Sequence, residues 1–163
     1  MQKRKLNRLK NYDYSSVGYY FVTVCTHGKI NWFGKIKNGE MMLNECGTVV
    51  ENCWLDLSNH YGNFKLDYFV IMPNHFHGIF FIDNTVGDGL KPSPTKYGLS
   101  EIVRGFKTFS SKKINQIMQP RNHFRWQRSF YDHIIRNECD LNRIRQYIID
   151  NPLQWEMDEE NVK

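Results

Sequence analysis

Clusters and alternations of apolar residues predict a short, ordered series of strands and helices. Gly18-Tyr19-Tyr20-Phe21-Val22-Thr23-Val24-Cys25-Thr26 is dense in aromatic and β-branched side chains, which suit a pleated, half-buried strand. Residues 34–43 enclose Asn38-Gly39, a pair that tolerates the positive φ of a tight hairpin turn. Val49, Val50, Cys53, Trp54 and Leu57 recur at helical spacing behind Asn44, so a helix capped by Asn44 is expected to run to about Asn59. Residues 64–72 read as a strand, Pro73-Asn74 as a turn, and 75–82 as an antiparallel return strand. Ile102, Val103, Phe106, Phe109, Ile114 and Ile117 predict a second long helix, capped by Ser100 and ended before Pro120. A last core strand is expected over 130–135, and a terminal helix over 140–151 is stopped by Pro152.

Without the small 34–43 hairpin, the order is strand, helix, strand, strand, helix, strand, helix. That is an α+β chain with the ferredoxin-like βαββαβ antiparallel sheet and one extra C-terminal helix. Right-handed crossovers would place the first two helices on one sheet face, leaving the other for a ligand or the last helix. At 163 residues a single domain over 1–163 is expected. Its accessory parts are a basic arm (1–16), a Gly/Pro-rich flexible loop (84–98) and an acidic tail (153–163).

Composition narrows the function. No run approaches the roughly 18 apolar residues of a membrane span. The basic N-terminus has no apolar segment behind it, so a signal peptide is not expected, and a cytoplasmic protein without a membrane partner is. Cys25, Cys46, Cys53 and Cys139 form no Cys-x-x-Cys pair and read as reduced thiols rather than a zinc site. The net charge of +5 is unevenly spread. Lys3, Arg4, Lys5, Arg8 and Lys10 open the chain, and Arg104, Lys107, Lys112, Lys113, Arg121, Arg125, Arg128 and Arg136 follow later. Phe124, Trp126 and Tyr131 are interleaved with the second group, a pattern suited to a nucleic acid as well as to a solvated face.

The candidate chemistry starts at His75-Phe76-His77. Side chains two apart on a strand share a face, so two imidazoles can be offered to one divalent cation. Two ligands do not make a site, and such pairs also occur as ordinary strand residues. Tyr147 and Asn151, four apart on the terminal helix, stack on one helix face at the edge of the apolar stripe Leu141, Ile144 and Ile148. If that stripe docks on the sheet, an amide oxygen can be a third ligand and a phenol a nucleophile. Tyr131 is the rival nucleophile, and His123 and His133 read as polar partners rather than ligands.

Met72-Pro73-Asn74-His75-Phe76-His77 resembles the His-hydrophobic-His signature of the HUH single-tyrosine transposases. Leu99 to Lys107 is similar to that family's second helix, and Trp126 to Asn137 and Tyr147-Ile148-Ile149-Asp150-Asn151-Pro152 to its C-terminal half. The nearest subgroup is the REP-associated tyrosine transposases, and the resemblance covers about Gly18 to Pro152. It implies cleavage and rejoining of single-stranded DNA through a 5′-phosphotyrosine. Tyr147 would be the nucleophile, with His75, His77 and Asn151 as ligands of Mg²⁺ or Mn²⁺. Some relatives carry Gln where this chain has the shorter Asn151.

Single-stranded or hairpin DNA is then the expected partner. Arg104, Lys107, Arg125, Arg128 and Arg136 are candidate phosphate contacts, and Trp126 is a candidate stacking platform for an unpaired base. The alternatives are a catalytically silent DNA-binding module of the same fold and a hydrolase using the histidine pair with another metal. The subgroup implies a monomer rather than a homodimer.

Overall fold

The structure, a computed structural model, describes residues 8–84, 97–118, 122–157 and 161. Its main sheet has four strands: β1 (Gly18–Cys25), β4 (Phe64–Met72), β5 (His75–Ile82) and β6 (Tyr131–Ile135). They lie in the order β4-β5-β1-β6, and every neighbouring pair is antiparallel. This is the expected ferredoxin-like arrangement. β2 (Gly34–Lys37) and β3 (Glu40–Leu43) form a separate two-stranded sheet. Their turn places Asn38 at φ 52° and Gly39 at φ 74°, the left-handed conformations that this dipeptide supplies.

The helices divide between the two faces. α1 (Glu45–Leu55), the short α2 (Leu57–His60) and α3 (Leu99–Ile117) contribute to one core. Its sheet side is Tyr20, Val22 and Val24 of β1 with Phe76, Phe80 and Ile82 of β5. Trp54 of α1 is fully buried at its centre, with ring centroids 4.5 Å from Phe76, 5.2 Å from Phe106 and 5.5 Å from Phe64. α4 (Glu138–Asp150) covers the opposite face, packing Leu141, Ile144 and Ile148 against Phe21, Ile79 and Ile135. Period-2 alternation along β1 and β5 supplies both cores from the same strands.

Several boundaries differ from expectation, each for a local reason. The helix expected from Asn44 to Asn59 is two pieces joined at Asp56, whose backbone stays in the α region. Asn44 does cap it, accepting from the Gly47 N–H. α3 is capped at Gly98 rather than Ser100: the Glu101 carboxylate accepts from the Gly98 N–H, and Ser100 accepts from Arg8 instead. α4 begins at Glu138 because Asn137 caps it, accepting from the Asp140 N–H. Gly105, unfavourable inside a helix, sits where a Cβ would lie 1.9 Å from the Tyr61 hydroxyl, so it permits the close crossing of α3 over Tyr61.

Of the basic arm, residues from Arg8 onward are docked, with the Arg8 guanidinium against Ser100 and over the rings of Tyr14 and Phe130. Most of the expected 84–98 loop lies outside the described residues. Trp155, placed in the acidic tail by the sequence, instead packs beside the histidine pair within a single 3-10 turn, Trp155–Met157.

One polar clamp fixes α4 to the sheet edge. The β4 register slips between Leu66 and Phe69, and both residues inside the slip engage Arg145. Asp67 accepts from Arg145 Nε at 2.9 Å and from Nη2, while the guanidinium lies over the Tyr68 ring. Burial raises the Asp67 pKa, but the Arg145 hydrogen bonds and charge outweigh it, and the carboxyl titrates below its usual range. Arg145→Met is expected to lower stability by about 1–3 kcal/mol at neutral pH. The Asp67 pKa is lower folded than unfolded, so its stabilisation is complete above about pH 4 and is lost as pH falls through the lowered value. Urea titrations of both proteins from pH 7 to pH 3 check this: the gap should close toward acid.

Candidate active site

His75 and His77 lie at the start of β5, on the face that α4 covers. Both are buried, His75 completely and His77 at 4% exposure. Their Nε2 atoms face one another at 3.0 Å. His77 Nδ1 meets the Thr23 hydroxyl at 2.8 Å, and His75 Nδ1 meets Asn74 Oδ1 at 2.8 Å. Antiparallel register is the cause, since β1 places Thr23 directly opposite His77. Phe21, two residues back on the same face of β1, stacks on the His77 ring at 5.5 Å. Trp155 closes over His75 at 5.9 Å.

The terminal helix brings Tyr147 to the pair and carries Asn151 one turn further along. Tyr147 Oη is 3.4 Å from His77 Nε2, and its ring meets Phe21 edge-on at 6.3 Å. The tyrosine remains 42% exposed, so its ring borders solvent beside the buried pair. Asn151 caps the C-terminus of α4, one turn beyond Tyr147, and is 2% exposed. Its Oδ1 is buried with no hydrogen-bond partner among the described residues, a costly arrangement unless something else satisfies it. Tyr131, the rival nucleophile, sits on the edge strand β6, 53% exposed, and touches Phe21 rather than the histidines. His133 is paired with Asp140 at 2.7 Å, tying β6 to α4, which is the polar role expected of it.

The donor set suits a divalent cation. Burial, then the neighbouring His75, holds the His77 pKa well below the usual imidazole value, so its ring is neutral at physiological pH and keeps a lone pair for a ligand bond. The two Nε2 atoms converge at 3.0 Å, close enough to share one ion or one proton, and the Asn151 oxygen, without a hydrogen-bond partner among the described residues, is a hard donor of the type Mg²⁺ and Mn²⁺ take. No cluster of three or more His, Cys, Asp or Glu residues exists among the described residues, so a site here depends on the amide.

The candidate DNA contacts separate into two groups. Arg104, Lys107, Arg125, Trp126 and Arg128 border one groove of about 620 Å³, together with Arg8 and His123. It opens on the α3 side, away from the face that carries the histidines. Arg136 is not part of it and lines clefts between β6 and α4. Two of the groove residues are committed to the fold. Trp126 is 7% exposed, and its indole N–H donates to the Ser110 hydroxyl at 2.9 Å, so its ring is core rather than a free stacking platform. The Lys107 ammonium donates to the carbonyls of Gln127 (2.6 Å) and Arg128 (3.0 Å), pinning the segment before β6 to α3. Arg104, Arg125 and Arg128 are exposed there.

Thr23, Phe21 and Trp155 carry no signal in the sequence that marks them as site residues. Thr23 and Phe21 are ordinary strand residues until the register is known, and Trp155 lies beyond the helix that organises the site. Asn74 stands inside the quoted motif, but its side chain carries no signal distinguishing a turn residue from a histidine partner.

Comparisons with known proteins agree with this fold. A curated protein of Haemophilus influenzae, described only as uncharacterized, is 38% identical over 96% of this chain and 92% of its own length. A REP-associated tyrosine transposase solved bound to a REP hairpin superimposes with a TM-score of 0.62 at 18% identity, covering 93% of this chain and 76% of that one. A candidate transposase of Deinococcus radiodurans R1 does so with a TM-score of 0.51 at 15% identity, over 88% of this chain and 95% of that one. No helix among the described residues is long and apolar enough to cross a membrane. The model of the IS200-like transposases matches residues 19–151, a span that runs from β1 through the histidine pair and Tyr147 to Asn151, and the chain belongs to that family.

Proposed function

We propose that this transposase cleaves and rejoins single-stranded DNA through a 5′-phosphotyrosine on Tyr147. The observation that carries the reading is the approach of the Tyr147 hydroxyl to the buried His75–His77 pair, with the Asn151 oxygen, unpartnered among the described residues, one turn further along the same helix. The Tyr147 hydroxyl gives up its proton as Oη bonds to the scissile phosphorus, the bond from phosphorus to the 3′ oxygen breaks, and that oxygen takes up a proton and leaves as a 3′ hydroxyl. The phosphodiester energy is retained in the tyrosyl ester, so a second 3′ hydroxyl can reverse the step without ATP. His75, His77 and Asn151 would hold Mg²⁺ or Mn²⁺, which when bound polarises the phosphate and offsets its developing charge. Phe21 and Trp155 wall the histidine pair from water, and the α4 stripe keeps the tyrosine at the pair.

α4 docks on the sheet of its own chain. Tyr147 would therefore act with the histidines of the same molecule, which favours a monomer. Hairpin or single-stranded DNA is the proposed substrate, with Arg104, Arg125 and Arg128 holding phosphates along the α3 groove. The test is incubation with a labelled hairpin that carries single-stranded flanks, with Mg²⁺ or Mn²⁺, followed by a denaturing gel. A protein–DNA adduct that forms only with the cation is expected. Salt-sensitive binding without an adduct would overturn the reading in favour of a silent binding module.

A further inference from the structure

We propose that Tyr131 is a stacking platform for one unpaired base, placed where a DNA strand leaves the α3 groove and crosses the edge of the sheet toward Tyr147. This rests on the reading that single-stranded DNA is brought to the face carrying Tyr147, and the two parts can fail separately.

Strand register decides which face Tyr131 occupies. It is the first residue of β6 and lies directly opposite Thr23 of β1, which lies opposite His77 of β5. Directly opposed residues on neighbouring antiparallel strands share a face, so Tyr131, Thr23 and His77 form one row on the side that α4 covers. Phe21, two residues back along β1, is on the same face and buried. Both tyrosines meet it edge-on, Tyr131 at 6.5 Å and Tyr147 at 6.3 Å. A single buried ring therefore stands between Tyr131 and Tyr147.

Exposure sets Tyr131 apart from the other rings. Among the described residues the exposed aromatic side chains are Tyr68, Tyr131 and Tyr147. Tyr68 belongs to β4, at the opposite edge of the sheet, and lies under the Arg145 guanidinium. Tyr147 has its hydroxyl at the histidine pair. Tyr131 stands at the outer edge of β6, which pairs with no further strand among the described residues, and its ring contact there is the edge-on one with Phe21. A base laid on such a ring removes apolar surface from water. Every base has a π-face, so stacking asks for no particular sequence.

The approach to Tyr131 is basic. Arg125 and Arg128 are exposed along the α3 groove and precede Tyr131 in the chain. The backbone there is braced against the end of β1: the His27 N–H donates to the Arg125 carbonyl at 2.9 Å, and the Gln127 N–H to the Cys25 carbonyl at 2.8 Å. Lys107 holds the same segment from the α3 side. Residues 125–131 thus lead from the groove into the edge strand, with guanidinium groups for phosphates first and an aromatic ring for a base after them. A strand that follows this segment crosses the β6 edge and meets Tyr131 before Tyr147.

The experiment is fluorescence anisotropy of the full-length protein with a labelled DNA hairpin, blunt or carrying single-stranded flanks, without a divalent cation so that no cleavage enters. Tyr131→Ala is expected to weaken binding of the flanked hairpin about 5- to 100-fold and that of the blunt hairpin less than about 2-fold. Tyr131→Phe and Tyr131→Trp keep a ring and should bind both hairpins as the wild type does. Abasic substitutions along the flanks then locate the contact. At one position, removing the base should weaken the wild type about as much as Tyr131→Ala does, and should cost Tyr131→Ala nothing further. Equal losses for flanked and blunt hairpins in Tyr131→Ala, or abasic positions that all weaken both proteins alike, would overturn the platform. So would a Tyr131→Ala protein that binds the flanked hairpin as tightly as the wild type. If the flanks add nothing to wild-type affinity, the single-strand reading fails and the platform with it. If the Tyr131 coupling is found but Mg²⁺ or Mn²⁺ yields no covalent adduct, the platform stands and the assignment of Tyr147 as nucleophile fails.

Discussion

Tyr147→Phe is expected to abolish covalent adduct formation while leaving fold and DNA binding intact. The substitution removes one oxygen from a half-exposed ring. The edge-on contact with Phe21 and the apolar packing of α4 need no hydroxyl, so melting temperature should change little. Phe has no atom able to bond phosphorus, so the adduct yield should fall below about one-thousandth of wild type, the scale on which removal of a nucleophile is felt. Tyr131→Phe is the control. That residue is exposed on the edge strand and touches Phe21 rather than the histidines, and its adduct yield should remain near wild type. An adduct that persists in Tyr147→Phe, or vanishes in Tyr131→Phe, would move the nucleophile to β6. Hairpin binding measured in parallel, unchanged in both variants, separates chemistry from association.

Trp54→Ala carries the largest expected cost in stability, about 3–5 kcal/mol by urea unfolding. Trp54 is fully buried, and its ring meets Phe64, Phe69, Phe76, Phe80 and Phe106. These come from β4, β5 and α3, so its loss opens a void where α1 and α3 meet the sheet. A domain of this size has about 5–15 kcal/mol in total, which puts the variant near the threshold of folding. The effect should reach the site, because Phe76, the residue between the two histidines, is the nearest ring to Trp54 at 4.5 Å. Trp54→Phe should be far milder. The indole N–H is buried without a hydrogen-bond partner among the described residues, and Phe removes that unsatisfied donor while keeping most of the ring packing. A Trp54→Ala protein within about 1 kcal/mol of wild type would mean that the aromatic cluster does not hold this face together.

How far each element was legible follows from how local its cause is. The Asn38-Gly39 turn, the Asn44 cap and the aromatic strand at 18–25 depend on neighbours a few residues away, and all appear as expected. The expected Ser100 cap failed because a long-range partner, Arg8, takes its hydroxyl while Glu101 reaches back to Gly98. Lys107 and Trp126 carry the residue types of a nucleic-acid surface, yet one is tied to backbone carbonyls and the other to Ser110. Charge and aromaticity are visible in a sequence, but the side of the sheet they face is decided by burial against α3.

The histidine spacing, the four-residue step from Tyr147 to Asn151 and the apolar stripe beside them are determined by the sequence alone. Strand and helix periodicities impose those relations whatever the fold. That the tyrosine arrives at His77, rather than at some other part of the sheet, was decided only by tertiary structure. It depends on the order β4-β5-β1-β6 and on a stripe docked between Phe21, Ile79 and Ile135. It depends also on the Asp67–Arg145 clamp, which joins residues 78 positions apart. The choice of Thr23 and Asn74 as histidine partners is of the same kind. An imidazole's tautomer is set by whichever group the folded chain places at its second nitrogen, and no local pattern records which group that will be.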